Sequence, residues 1–65
     1  MAVIRVEKNI FDEVVKFLSG YTIRVVRQSQ RDLIKVEEEV NIKKLPDGAK
    51  LLSQDYPWLD WKEVE

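Results

Sequence analysis

The 65-residue chain has no cysteine and no histidine, and only two glycines and two prolines. Each absence removes a class of chemistry. Without cysteine there is no disulfide, and without cysteine or histidine there is no structural zinc site of the common kind. The same gap excludes a Ser-His-Asp triad, a cysteine nucleophile, an imidazole base and the usual side-chain ligation of haem or iron–sulfur clusters. Gly20 and Gly48 lie too far apart to form a glycine-rich phosphate loop. Uninterrupted apolar runs are only a few residues long, well short of the ~20 that span a bilayer. Nor do cations followed by an apolar stretch, the mark of a signal peptide, open the chain. The expectation is a cytoplasmic protein that is not an enzyme, with no membrane contact, no cofactor and no metal.

Charge of one sign is also lacking in excess. Eleven Lys+Arg stand against twelve Asp+Glu, a formal net charge of −1, whereas a general nucleic-acid or membrane-surface protein shows a basic surplus. A charged fraction of 35% with many β-branched residues fits a prokaryotic protein of thermophilic habit. Size sets the energetics. A 7.7 kDa chain folds to roughly 4,300 Å² of surface from about 11,000 Å² unfolded. Apolar burial then contributes about 100 kcal/mol, and ordering the chain at about 1.5 kcal/mol per residue costs nearly the same. With no disulfide or metal, a partner surface or homodimerisation is the remaining common source of stability.

What is present reads as one folded unit followed by a distinct segment. Residues 2–7 alternate as a strand, with Ala2, Ile4 and Val6 inward and Arg5 and Glu7 outward. Asn9, with Asp12 three residues on, marks a helix start of capping-box type. Ile10, Phe11, Val14, Val15, Phe17 and Leu18 then form its apolar face, and Gly20 ends it. Residues 21–28 and 33–40 read as a β-hairpin. A two-residue loop at Ser29-Gln30 lacks the Gly or Asn such turns favour and sets Arg24 opposite Lys35; a four-residue loop from Ser29 to Asp32 pairs Val25 with Val36 and Arg24 with Glu37. The sequence favours the second. The resulting expectation is an α+β fold: a small three-stranded, mainly antiparallel sheet with one helix packed on it (β-α-β-β), over residues 1–45.

Leu45-Pro46-Asp47-Gly48 is a turn signal, and composition shifts after it. Residues 1–45 carry nine Lys+Arg and seven Asp+Glu, while 46–65 carry two and five, together with both tryptophans. In this acidic, aromatic-rich C-terminal segment, Ala49 to Ser53 suggests a short helical turn and Asp55-Tyr56-Pro57 a second helix start. On such a helix Trp58 and Trp61 share a face near Leu59 or Val64, ringed by Asp60, Glu63 and Glu65. The segment either folds back over the open sheet face or docks on another protein, with Tyr56, Trp58, Leu59 and Trp61 as the contact residues.

Two further groupings invite chemistry. Arg24, Arg27, Arg31 and Lys35 on the hairpin make a basic strip suited to phosphates. The tip, Gln28 to Arg31, is polar enough to touch a ligand. The run Glu37-Glu38-Glu39 puts only Glu37 and Glu39 on one strand face and lacks calcium-loop spacing, so it reads as protection of an edge strand. The order of elements has a loose architectural likeness to small prokaryotic regulators such as antitoxins, with no shared motif. The leading expectation is a small interaction or regulatory module, homodimeric or bound to another protein. The alternative is an antitoxin-like nucleic-acid-binding regulator acting through the basic hairpin.

Overall fold

A computed structural model describes residues 2–40, 42–52 and 56–63. The alternation at the start of the chain forms β1 (Ala2–Glu7), and the 3.6-residue pattern after it forms α1 (Phe11–Phe17), entered through a 3-10 turn over Lys8–Ile10. No side chain caps α1, so the Asn9 cap is not made. Gly20, at φ 95, ends the helical segment as its composition suggests. Then come β2 (Ile23–Arg27), β3 (Arg31–Val36), β4 (Ala49–Leu52) and β5 (Lys62–Glu63). All neighbours pair antiparallel, in the order β4-β1-β3-β2-β5.

The fold is therefore α+β, but the sheet has five strands rather than three and the C-terminal segment contributes strands rather than a helix. The reason lies in two turns. Gly48, at φ 96, sits third in a turn closed by the Ala49 amide donating to the Pro46 carbonyl at 3.2 Å. That turn lays Ala49 to Leu52 antiparallel along β1, with Val6 opposite Ala49 and Val3 opposite Leu52. Further on, Pro57 takes the second place of a turn in which the Leu59 amide donates to the Tyr56 carbonyl at 3.1 Å. Trp58 and Trp61 are thus separated by a turn and never share a helix face. Ser53, Asp55, Val64 and Glu65, which figured in the expected helices, lie outside the described residues.

The hairpin register is also the one set aside on sequence grounds. Ile23 pairs with Val36, Val25 with Ile34, Arg27 with Asp32, and Arg24 with Lys35. Two compensations make this register favourable. Arg27 gains Asp32, and the like-charged Arg24 and Lys35 each gain another neighbour, Glu63 on β5 and the ring of Trp61. β3 ends at Val36 and is the central strand, so the glutamate run does not protect an edge. Glu38 instead accepts the Thr22 amide through both carboxylate oxygens, at 2.8 and 3.2 Å.

The core lies between α1 and one face of the sheet. Ile4, Val6, Ile34 and Val36 from the strands meet Phe11, Val14 and Leu18 from the helical side, all buried, with Ile23, Val25 and Ala49 packed at the margin. Each such side chain contributes about 1.5–3 kcal/mol. Among the described residues, no helix is long and apolar enough to cross a membrane.

Candidate functional site

Strand alternation and the observed register assign every sheet residue to one of two faces. The helix-covered face takes Ile4, Val6, Asp32, Ile34, Val36, Ile23, Val25 and Arg27. The opposite face, here the second face, takes Val3, Arg5 and Glu7 from β1, Lys50 and Leu52 from β4, Arg31, Leu33 and Lys35 from β3, Arg24 and Val26 from β2, and Glu63 from β5, with Glu7 opposite Arg31. Val3 and Leu33 on this face are buried. The segment Tyr56 to Trp61 lies against the second face, which is one of the two placements open from sequence.

Trp61 is an internal anchor. Its indole Nε1 donates to the Tyr56 carbonyl at 2.8 Å, and the Lys35 ammonium lies 4.8 Å from its ring centroid. Trp58 behaves differently. It is 73% exposed, and its ring meets Tyr56 edge to face, with centroids 5.5 Å apart. Together with Leu59 and Tyr56 it walls a cleft of about 340 Å³ whose floor is Leu33 and Leu52. Arg5, Arg31 and Gln28 supply the polar lining. This size sits at the lower end of the ~300–1,000 Å³ typical of ligand sites, as does the arrangement of apolar walls with a few polar groups. No carboxylate among the described residues is within ion-pair distance of Arg5 or Arg31.

The structure sorts the residues singled out from sequence. Tyr56, Trp58, Leu59 and Trp61 come together on the second face, and Arg24, Arg31 and Lys35 join them there, so two surfaces expected to serve competing functions are one. Arg27 does not belong to it. Its Nε lies 3.1 Å from Asp32 Oδ1 on the helix-covered face, and its guanidinium carbon stands 4.0 Å over the Phe11 ring. Asp32, fully buried, also accepts from Lys8 Nζ at 2.8 Å through Oδ1, while Oδ2 has no hydrogen-bond partner. This buried carboxylate ties the loop end of the hairpin to the start of the helical segment.

Sequence reasoning missed Arg5, Lys50, Leu33 and Leu52 as parts of the site, and Asp32 with Lys8 as a buried pair. Parity along β1 was a usable signal for Arg5, since it is set opposite to Ile4. Lys50 and Leu52 became visible only once β4 replaced a helix. A larger hollow, about 480 Å³ between Val15, Leu18, Tyr21 and Ile23, is edged by Lys16 and Ser19 and takes in no arginine among the described residues. No three metal-ligating side chains cluster among the described residues. Glu38 is held below the usual carboxylate range by the Thr22 backbone amide it accepts. Comparison with protein-family models, with curated proteins and with solved structures finds no match to this chain.

Proposed function

We propose that the chain is a small, non-enzymatic binding module that receives an anionic partner on the second face of its sheet, across the cleft beside Trp58. The observation that carries this reading is the sorting of charge. Five cations, Arg5, Arg24, Arg31, Lys35 and Lys50, share the face with three aromatic rings and outnumber its two strand carboxylates, Glu7 opposite Arg31 and Glu63 opposite Arg24, while Asp12 and Glu13 project from α1 on the other side and Glu37 to Glu39 follow the end of β3. A chain of formal net charge −1 therefore presents one cationic surface, and surface potential of this kind concentrates oppositely charged ligands.

Homodimerisation loses its first argument in this reading. The second face is partly covered by the chain's own tail, and the two edge strands are four and two residues long, short enough to discourage edge pairing. A cytoplasmic location belongs to the same proposal. The test is a titration with linear polyphosphate across a salt series. Arg24 faces Glu63 and Lys35 rests on Trp61, so three to five cations engage, and at about −0.7 per contact the log–log salt slope is about −2 to −3.5. Arg31→Gln lowers that slope by about 0.7, and Lys16→Gln on the helix side leaves it unchanged. Failure to bind at about 50 mM salt, where such contacts are strong, or equal sensitivity to both substitutions, refutes the proposal.

A further inference from the structure

The cations of the second face are spread over four adjacent strands, β4, β1, β3 and β2, whose mutual spacing of about 4.8 Å makes a track about 14 Å wide rather than a single anion pocket. Beside that track stands an exposed indole. Among the described residues Trp58 is the most exposed of the large hydrophobic ones, at 73%, and it adjoins Tyr56, Leu59, Leu33 and Leu52 around the cleft, so the exposure belongs to an apolar patch. Its position is not a packing default, because Trp61, three residues on, is hydrogen-bonded and sheltered. Tyr56 meets Trp58 edge-on at an interplanar angle of 79°, a contact that props the indole and leaves it beside the cleft.

A track of cations with an adjoining aromatic platform matches a polymer in which charge and flat rings recur together. Taking the anionic partner of the preceding section as the premise, we infer that it is single-stranded nucleic acid, with one base stacked on Trp58 in the cleft and the flanking phosphates running past Arg5 and Arg31. Stacking on an aromatic side chain needs only a base's flat face, so it tolerates any sequence. Gln28, on the cleft wall, carries an amide that both donates and accepts and so reaches a base edge without choosing one base strongly. A duplex fits poorly, because its bases are already stacked on one another and withheld from an aromatic platform. An acidic peptide supplies charge but not a ring at each repeat.

The experiment is a fluorescence titration of the full chain with three probes of matched charge: a thymidylate strand of about ten nucleotides, linear polyphosphate and polyglutamate. The strand is expected to quench tryptophan emission and to bind more tightly than the other two. Trp58→Ala is expected to weaken the strand at least about five-fold, the lower bound for losing one stacked base. It should leave polyphosphate affinity within two-fold, while Trp58→Phe retains part of the difference. Because Trp58 is largely exposed, circular dichroism of Trp58→Ala should match the parent. Equal affinity for strand and polyphosphate, or a strand affinity unchanged in Trp58→Ala, overturns the inference while leaving an anion-binding face intact. Tighter binding of polyglutamate overturns it in favour of that partner. No binding of any probe overturns both this inference and the reading beneath it.

Discussion

Asp32 offers the sharpest energetic test of the fold, because its two counterions are unequal to it in burial. The carboxylate is fully buried, whereas the side chains of Lys8 and Arg27, at 2.8 and 3.1 Å from Oδ1, remain 39% and 57% exposed. Removing the acid and removing the bases are therefore different perturbations. In Asp32→Asn the two cations lose a partner but recover water, and the amide keeps the shape of the site. The loss is that of charge-assisted hydrogen bonds, discounted for exposure, about 1–2 kcal/mol. In the double variant Lys8→Met/Arg27→Met the carboxylate stays buried opposite Val6 with no compensating charge. Stranding a buried ion in this way costs about 3–5 kcal/mol. For a domain of this size each kcal/mol moves Tm by about 4–8 °C, so Asp32→Asn melts roughly 4–16 °C lower. The double variant loses most of the ~3–5 kcal/mol that a single small core supplies. Urea and thermal unfolding followed by circular dichroism measure both. A double variant as stable as Asp32→Asn contradicts the buried, doubly paired carboxylate and with it the hairpin register that sets Arg27 opposite Asp32.

Other contacts carry consequences of their own. Trp61→Ala removes a hydrogen bond to Tyr56, the Lys35 contact and sheltered ring surface, for about 2 kcal/mol or more, whereas Trp58→Ala stays within about 0.5 kcal/mol of the parent; urea midpoints separate the two. Gly20→Ala and Gly48→Ala both force alanine to positive φ, at about 1–2 kcal/mol. Only at Gly48 does the new Cβ also press on Ile10 Cδ1 at 3.0 Å, so Gly48→Ala is the more damaging by thermal melting. The Thr22 amide holds the Glu38 carboxyl below its ordinary pKa of 4.5. Its contribution is thus complete above pH 4.5 and is lost as pH falls below that through the folded value. The Thr22 amide resonance should shift over that acidic range, and Glu38→Gln should abolish the shift.

Local patterning made the first half of the chain legible. The alternation of Ile4 and Val6 against Arg5, the helical spacing of Phe11, Val14 and Leu18, and the termination at Gly20 each depend on neighbours within a few residues. The hairpin register did not, because its decisive terms are remote. Lys8 lies 24 residues from Asp32, and Glu63 and Trp61 offset the Arg24 and Lys35 pair from the far end of the chain. The missing turn Gly or Asn and that like-charged pair together favoured the wrong loop. Ala49-Lys50-Leu51-Leu52 is too short for its own period to separate strand from helix. The open edge of β1 decides it, by offering backbone partners once Gly48 turns the chain. Tyr56-Pro57 carried a turn signal and a helix-start signal at once, since proline suits the second position of one and the first position of the other.

The candidate site was legible as two halves and not as a whole. The aromatic cluster and the basic hairpin each stood out by composition, yet their union depends on strand order and on which side of the sheet the tail crosses. Both are tertiary facts. Arg27 shows the converse: grouped by sequence with Arg24 and Arg31, it is turned to the other face by its parity with Ile23 and Val25 and engaged there by Asp32.

The most direct measurement is a chemical-shift map of the isotope-labelled chain titrated with the thymidylate strand. The account requires the largest changes at the Trp58 indole, Arg5, Gln28, Arg31 and Lys50, with α1 and Glu37 to Glu39 nearly unmoved. Changes centred on α1 or on the glutamate run, or a Trp58 indole that does not respond, would contradict the assignment of the second face as the binding surface.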